Sequence, residues 1–258
     1  MMNNKHDLRI QQAIAEVANQ TKNSKVAQLW MKKPIRIRRA YSEMLFNLII
    51  ESGGTKMRPN EFVRCTDFPC QDVNKKRYII PNIEVETGKV KTFMISEAPP
   101  EDLGDYFYAR NNPFYVQTTV QAFGDAGFNV TCMEDVLNLG VYVTTAIKCG
   151  KTAYSVSPKT IDNCSIRILE NEINLFPKIK VILLMGDTAI KAMNCIAKRN
   201  TGKAIIPSGS TYKIRKNKYL YKGLRVFPSY LQTGKSYLIE KSKRKMIAED
   251  IKAALEHH

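Results

Sequence analysis

The chain has 258 residues, enough to bury one large hydrophobic core, and its 40 Lys+Arg against 24 Asp+Glu give a formal net charge of +16. A surplus of this size favours a polyanionic partner, nucleic acid ahead of an anionic membrane surface. The sequence has no apolar run of about 18 residues that would predict a transmembrane helix. We therefore expect a cytoplasmic protein that acts as a monomer and has no membrane partner.

The sequence offers almost no histidine that could act as a catalytic group or metal ligand in the core. The chain has three histidines, and two of them fall within Leu255 to His258, a stretch typical of an expression-tag remnant. The third, His6, lies near a terminus. We therefore expect no histidine base, electrophile or metal ligand in the core.

Residues 1–60 are predicted to form a basic helical extension. Apolar residues recur at helical spacing between Lys5 and Val26, and a second helix is predicted from Ala40 to Glu51. Between them lies a run of basic residues, Lys32 to Arg39. These charges either contact phosphates or form a solvated helix face.

From Glu61 to Ala254 the pattern is that of an α/β domain. Strands that alternate with helices predict a mainly parallel sheet covered on both faces. The predicted elements in chain order are a hairpin over Arg77–Val90, a strand over Val90–Ile95, a helix over Pro113–Asp125, a strand over Val141–Lys148, a helix over Pro158–Leu175, a strand over Lys180–Met185, a helix ending at Lys198, short strands over Tyr212–Arg215 and Leu224–Phe227, and a helix over Ser236–Ala254.

An acidic loop follows the first buried strand. The strand ends at Ser96, and two prolines, at 99 and 100, prevent it from continuing. Three carboxylates, those of Glu97, Glu101 and Asp102, lie directly beyond its C-terminal end. Ligands bind at this edge in open α/β sheets, so we interpret the loop as a functional site. The alternative is helix capping, which accounts for one carboxylate more readily than for three.

Two further loops are predicted to open on the same edge of the sheet. They cover residues 149–157 and 228–235, and together with 96–102 they would form a single crevice. The last loop is rich in groups suited to DNA: hydroxyls and an amine for phosphates, and apolar side chains that could wedge between bases. The residues concerned are Ser229, Tyr230, Leu231 and Lys235.

The cysteines suggest a metal site. A cytoplasmic chain is expected to keep its six cysteines as thiols or metal ligands rather than as disulfides. Without a histidine, four thiolates favour zinc or an iron–sulfur cluster. The alternative is that some are small buried hydrophobic residues. The candidate ligands are Cys65, Cys70, Cys149 and Cys164, whereas Cys132 and Cys195 are predicted to lie in the core.

Four segments stand out in chain order within roughly Cys65 to Asp250: ISEAPPED, TTAIKC, NCSIRILENEINLFPKIKVILLMGDTAIKA and VFPSYL. They resemble motifs of the uracil-DNA glycosylase superfamily and are most similar to those of its iron–sulfur families. The resemblance implies a three-layer α/β/α sandwich that flips a nucleotide out of DNA and cleaves its glycosidic bond. It also implies that the four candidate cysteines hold a 4Fe–4S cluster, with zinc as the less favoured metal.

The resemblance assigns roles around the acidic loop. Glu97 matches the acid of the family motif, which could orient water or stabilise an oxocarbenium-like sugar, and Asp102 is the second candidate. Ala98 would lie against the base. Phe107 is placed like the stacking phenylalanine of the family, with Phe114 as the alternative.

Two positions depart from the family pattern. Thr145 stands where an asparagine would read the base edge, and Phe227 stands where a histidine would stabilise the leaving oxygen. Loss of one such donor typically lowers the rate by ~10²–10³-fold, so the excised base need not be uracil. Lys148 and Lys151 could donate to a departing base, although phosphate or solvent is the simpler partner for both.

The sequence therefore predicts a DNA glycosylase acting on a damaged or modified base. The alternative is a non-catalytic iron–sulfur protein that binds DNA on the same scaffold. An unrelated nucleotide enzyme is disfavoured because the chain lacks a glycine-rich phosphate loop.

Overall fold

A computed structural model describes residues 56–110 and 113–257. The predicted basic extension over residues 1–60 lies outside the described residues, apart from its last five. Of these, Lys56 and Met57 already form a strand. No helix in the described ranges is both long and apolar enough to span a bilayer.

A five-stranded sheet forms the centre of the described region, in the order β5 (Val141–Thr145), β4 (Thr92–Ser96), β7 (Val181–Met185), β9 (Leu224–Ser229) and β8 (Tyr219–Tyr221). Its first four strands are parallel, and β8 pairs antiparallel to β9 at one edge. Two small antiparallel ribbons, β1–β3 and β2–β6, lie outside this sheet. The strands are β1 Lys56–Met57, β2 Val73–Asn74, β3 Val85–Glu86, β4 Thr92–Ser96, β5 Val141–Thr145, β6 Gly150–Lys151, β7 Val181–Met185, β8 Tyr219–Tyr221 and β9 Leu224–Ser229.

Helices connect the strands. Short 3₁₀ turns cover Lys75–Arg77 and Leu103–Asp105, and a π-helical turn covers Ser165–Leu169. The α-helices are α1 Pro59–Phe62, α2 Phe114–Asp125, α3 Met133–Asn138, α4 Pro158–Cys164, α5 Glu170–Ile173, α6 Asp187–Thr201, α7 Thr211–Ile214, α8 Lys235–Ile239 and α9 Lys241–Leu255.

The sheet separates two hydrophobic cores. All five residues of β4 are buried, and their side chains alternate between the faces because successive strand residues point in opposite directions. Phe93 and Ile95 pack in the core that contains residues of α4 and α6. Met94 packs in the core that contains residues of α2 and α9. This confirms the predicted α/β/α sandwich with a mainly parallel sheet.

The strand order places a topological switch at β4. The chain runs from β4 to β5 on one side and later returns to β7 on the other. Loops that leave neighbouring strands in opposite directions open a crevice at the carboxyl edge of the sheet. The acidic loop therefore begins where a doubly wound sheet binds its ligands.

Three predicted elements are wrong. Residues Arg77 to Val90 form no hairpin, because β3 pairs with β1 and Pro81 interrupts the segment that would have been its first strand. Residues Tyr212 to Arg215 fall in and directly after the helix α7 instead of in a strand. The last predicted helix is divided at Glu240, whose ψ of 83° is not helical.

The prediction that Cys132 lies in the core is also wrong. Its side chain is exposed and caps the N-terminus of α3, while Asp135 accepts a hydrogen bond from the Cys132 backbone N–H at 3.3 Å. The side chain of an N-cap residue is directed at the N–H groups of the first helical turn, so its position follows from the end of the helix and not from its own hydrophobicity. Cys195, by contrast, is partly buried and packs against the core.

Lys148 is buried in the core instead of facing phosphate or solvent. Its ammonium forms an ion pair with Glu172 at 2.5 Å, and both side chains are 0% exposed. It also donates to the Thr144 hydroxyl and to the Thr145 carbonyl, each at 2.6 Å. Glu172 in turn accepts from the Tyr142 hydroxyl at 2.7 Å, so both charges are paired and hydrogen-bonded.

Replacing Glu172 with glutamine should destabilise the fold strongly. The substitution leaves the Lys148 ammonium buried without a counter-charge, which typically costs about 3–5 kcal/mol. Asp187→Ala is the matched control, since it breaks an exposed ion pair with Lys191 and such pairs contribute about 0–1 kcal/mol. Urea unfolding of both variants measures the difference. Equal losses of unfolding free energy would contradict the assignment of a buried pair.

Candidate active site

A cavity of about 370 Å³ opens at the carboxyl edge of the sheet. Its wall comes from the loops that follow β4, β6 and β9, which confirms the prediction of a single crevice built from three loops. Arg77 and Tyr115 complete the wall from outside those loops. The lining residues are Lys151 at the end of β6 and, from the three loops, Glu97, Ala98, Pro99, Pro100, Glu101, Thr152, Ala153, Leu231 and Thr233.

Glu97 is the most firmly held acid in this cavity. One carboxylate oxygen contacts the Lys151 ammonium. The other accepts a hydrogen bond from the backbone N–H of Thr188 at 3.1 Å, in the first turn of α6. The positive end of the helix dipole therefore faces the carboxylate. The Glu97 side chain keeps 16% of its surface exposed, so it remains accessible from the cavity.

Gly186 allows this close approach of Glu97 to α6. It has a φ of +100°, which an L side chain rarely adopts, and a Cβ at this position would lie 2.7 Å from a Glu97 carboxylate oxygen. Glycine is therefore required here by both the backbone conformation and the space.

Lys151 and Arg77 place positive charge on the cavity wall. Lys151 lies on β6, where it pairs with Val73, and its backbone carbonyl accepts a hydrogen bond from the Arg77 guanidinium at 2.6 Å. Arg77 passes directly over Gly150, where a Cβ would lie 2.5 Å from Nε. The missing side chain at 150 thus gives Arg77 its route to the cavity.

Tyr115 supplies the aromatic wall and was not predicted. Its hydroxyl donates to the carbonyl of Ala98 at 3.3 Å. Burial raises the pKa of Tyr115, an effect that the Thr233 hydroxyl opposes and the Glu97 charge reinforces, so the phenol stays a neutral donor. Its neighbour Phe114 was a candidate, but sequence alone does not say which of two adjacent aromatics at the start of a helix faces the site.

The predicted aromatic Phe107 lies in the core. Its side chain is 0% exposed, and its ring packs 5.2 Å from that of Tyr115 and 5.2 Å from that of Tyr106. Phe114 is partly buried, and its backbone N–H donates to Asp105 at 3.0 Å. Neither phenylalanine lines the cavity; Phe107 instead supports the tyrosine that does.

Three further predicted residues, Asp102, Thr145 and Phe227, do not line the cavity. Asp102 is exposed and accepts from the Gly104 N–H at 2.8 Å as the cap of a 3₁₀ turn. Thr145 is 0% exposed, and its hydroxyl lies near Tyr106, where it opposes the strong rise in pKa that burial causes. Phe227 is buried, with the Arg225 guanidinium 4.2 Å from its ring centre.

The residues at the end of β9 and in the loop after it lie partly in the core and partly at the surface. Ser229 is fully buried and donates to Asp250 at 2.6 Å, within a network that includes Arg215. Leu231 lines the cavity, and Tyr230 is half-buried with the Lys243 ammonium 5.5 Å from its ring centre. The side chain of Lys235 lies outside the described residues.

The four candidate ligand cysteines line one separate cavity, together with Tyr78 and the buried Lys148. Burial raises the pKa of Cys164 to about 12 and that of Cys149 to about 11, and neighbouring cysteines add to both effects. Among the described residues, no three Cys, His, Asp or Glu side chains are close enough to hold a metal ion as they stand. The set is nevertheless all-thiol and gathered in one place, which fits the chemistry of an iron–sulfur cluster.

A mainly parallel sheet with a cavity at its carboxyl edge defines an α/β protein of the doubly wound class, and its positive charge favours a polyanionic ligand. Residues 84–252 match the uracil DNA glycosylase superfamily, and because the match covers more than half of the chain, the protein belongs to this superfamily. No curated protein matches the chain. Members of the superfamily act on DNA, so membership indicates DNA glycosylase activity.

We expect Gly150→Ala to displace Arg77 from the cavity wall. The added methyl group would occupy the space of the guanidinium without requiring a left-handed backbone. Affinity for an oligonucleotide with an abasic-site analogue should fall about tenfold, or ~1.4 kcal/mol, as measured by fluorescence anisotropy. The control is Gly124→Ala in α2, where an added Cβ meets nothing within 4 Å. Wild-type affinity in both variants would show that Arg77 does not contribute to DNA binding.

Proposed function

We propose that the protein is a DNA glycosylase that flips a damaged or modified base into the Glu97 cavity and hydrolyses its N-glycosidic bond. One observation carries the proposal: a carboxylate, fixed by an ammonium and a helix N-terminus, faces a cavity of about 370 Å³ at the sheet edge. Cavities that bind small organic groups typically measure about 300–1,000 Å³, so a single nucleobase fits. Superfamily membership supports the same reaction class.

The chemistry assigned to Glu97 follows from the charges that develop. As the glycosidic bond breaks, positive charge grows on the sugar and negative charge on the base. A carboxylate held in advance stabilises the sugar without having to reorganise during the reaction. In the same position it can orient the attacking water. Its contacts with Lys151 and Thr188 fix it in place for either role.

The residues that line the cavity favour a substrate base other than uracil. Thr145 and Phe227, the positions that would read the base edge and hold the leaving oxygen, are buried away from the cavity wall. In their place the wall offers the Tyr115 ring for stacking, and Arg77 and Lys151 for the negative charge of the departing base. Stacking on an aromatic ring is worth about 1–3 kcal/mol per base, which offsets part of the cost of flipping.

DNA would reach this cavity along the surface next to β9 and α9. Leu231 lies at the cavity, and Tyr230 is adjacent with Lys243 over its ring. An apolar side chain beside an aromatic one is suited to fill the gap that a flipped nucleotide leaves. The net charge of +16 supplies the general attraction to phosphates.

We further propose that Cys65, Cys70, Cys149 and Cys164 hold a 4Fe–4S cluster. The cluster would act as a structural tie, because these cysteines belong to segments far apart in the sequence that line one cavity. Iron would deprotonate the thiols despite their raised pKa values. The Lys148 backbone N–H, which opposes the rise in the pKa of the Cys164 thiol, would serve as a hydrogen-bond donor that tunes the cluster.

One observation favours the non-catalytic alternative. Both carboxylate oxygens of Glu97 already have partners, as they would in a purely structural ion pair. In that case the protein would bind DNA on this scaffold without cleaving a bond. The Glu97 variant below separates the two functions.

Glu97→Ala should lower base release by about 10²–10³-fold, since it removes the charge that faces the developing positive sugar. The assay measures release from oligonucleotides that each carry one of a panel of damaged bases. Glu86→Ala is the control, because it removes a surface carboxylate paired with Lys89. Release that persists in Glu97→Ala would exclude Glu97 from the mechanism, and no release by the wild type from any base would favour the binding function.

The purified protein should be brown, with about four irons per chain and absorbance near ~400 nm. Cys164→Ser should lose most of the iron and the absorbance, because Cys164 is a buried member of the set. Cys195→Ser, which changes a partly buried cysteine outside the set, should keep both. A colourless wild type with stoichiometric zinc would contradict the cluster.

A further inference from the structure

The Lys151 amine shares the proposed catalytic cavity with Glu97 and contacts its carboxylate. Among the described residues that line this cavity, Lys151 is the one lysine. We propose that Lys151 forms a Schiff base with the abasic sugar that base excision leaves, so that the protein is also an abasic-site lyase. This inference rests on the proposed function, because it assumes that the sugar occupies the Glu97 cavity.

The position of the amine follows from the role of Glu97. A carboxylate that stabilises an oxocarbenium-like sugar must lie close to C1′, the carbon that carries the positive charge. Any group in hydrogen-bond contact with that carboxylate is then within a few ångströms of C1′. Lys151 is such a group, and 22% of its side chain remains exposed. After the base has left, the nearest nucleophile to C1′ besides water is therefore this amine.

Lys151 is held in position by its backbone. It lies on β6 paired with Val73 of β2, and its carbonyl accepts from Arg77. An amine on a paired strand varies less in position than one on a free loop, which favours reaction with a bound carbon atom. Lys148, three residues earlier, is unsuitable because it is fully buried and paired with Glu172.

The proton needed for the first step can pass between the two paired groups. The ammonium of Lys151 gives a proton to the Glu97 carboxylate, and the freed amine attacks the C1′ aldehyde of the ring-opened sugar. The new C–N bond forms as the carbonyl π bond breaks, and one proton passes from the attacking nitrogen to the carbonyl oxygen, which becomes a hydroxyl. Glu97 then returns its proton to the hydroxyl, which leaves as water and gives an iminium ion. Glu97 is again a carboxylate.

Strand cleavage follows from the same carboxylate. The iminium acidifies the C2′ hydrogen, which Glu97 removes as a general base. The released electron pair forms a carbon–carbon double bond and expels the 3′-phosphate as the C3′–O bond breaks. Water then adds to C1′ and frees the amine. The sequence consumes no cofactor and no oxidant.

The test uses the full chain and a duplex that already contains an abasic site, so it does not depend on base excision. Sodium borohydride reduces an iminium to a stable secondary amine, which fixes the protein to the DNA. We expect a covalent adduct with the wild type, mapped to Lys151 by peptide mass spectrometry. We expect loss of that adduct in Lys151→Arg, which keeps the positive charge beside Glu97 but removes the nucleophile. Lys191→Arg, at an exposed helix position, should still form it.

Each outcome decides a different statement. No adduct in the wild type, an adduct at another residue, or an undiminished adduct in Lys151→Arg would overturn the lyase proposal. Mapping in the wild type decides this even if Lys151→Arg fails to fold. Base release without a Lys151 adduct would support the proposed glycosylase function and refute the lyase activity. A Lys151 adduct without release of any base would refute the proposed function and retain the reactivity of Lys151.

Discussion

The carboxylate of Glu97 is the point at which three parts of the fold meet: the end of β4, the first turn of α6 and the strand β6. Lys151 and the Thr188 N–H hold its two oxygens, and Gly186 leaves the space for it. A carboxylate facing a polyanion such as DNA would otherwise be repelled by phosphate. The Lys151 ammonium on β6 and the dipole of α6 offset that repulsion.

Two buried networks keep the strand ends in register around this point. Lys148 and Glu172 form one directly beyond β5, between the sheet and the four-cysteine cavity. Ser229 at the end of β9 belongs to the other, through Asp250 and Arg215. Because an unpaired partner in either network would remain buried with its charge or polar group unsatisfied, each network favours one arrangement of the loop that follows it.

Much of the architecture was predictable because parallel strands leave a simple pattern. Apolar runs such as Val181–Met185 are buried on both faces and are read directly from composition. Chain order then places the loops after β4 and β9 at one edge, which made the single crevice and the position of Glu97 predictable. The predicted hairpin failed because Val85–Glu86 pairs with residues earlier in the chain, and pairing with a distant strand leaves no local signal.

The sequence alone determined the fold class, the basic surface and the acid at the sheet edge, since these depend on periodicity, charge and strand order. Only the tertiary structure decided which side chains face that acid. Tyr115 lies at the cavity whereas Phe107 supports it from the core, and Arg77 reaches the wall across Gly150. These choices depend on packing between segments far apart in the chain. The contact between the Lys151 amine and the Glu97 carboxylate is likewise a tertiary contact that the sequence did not predict.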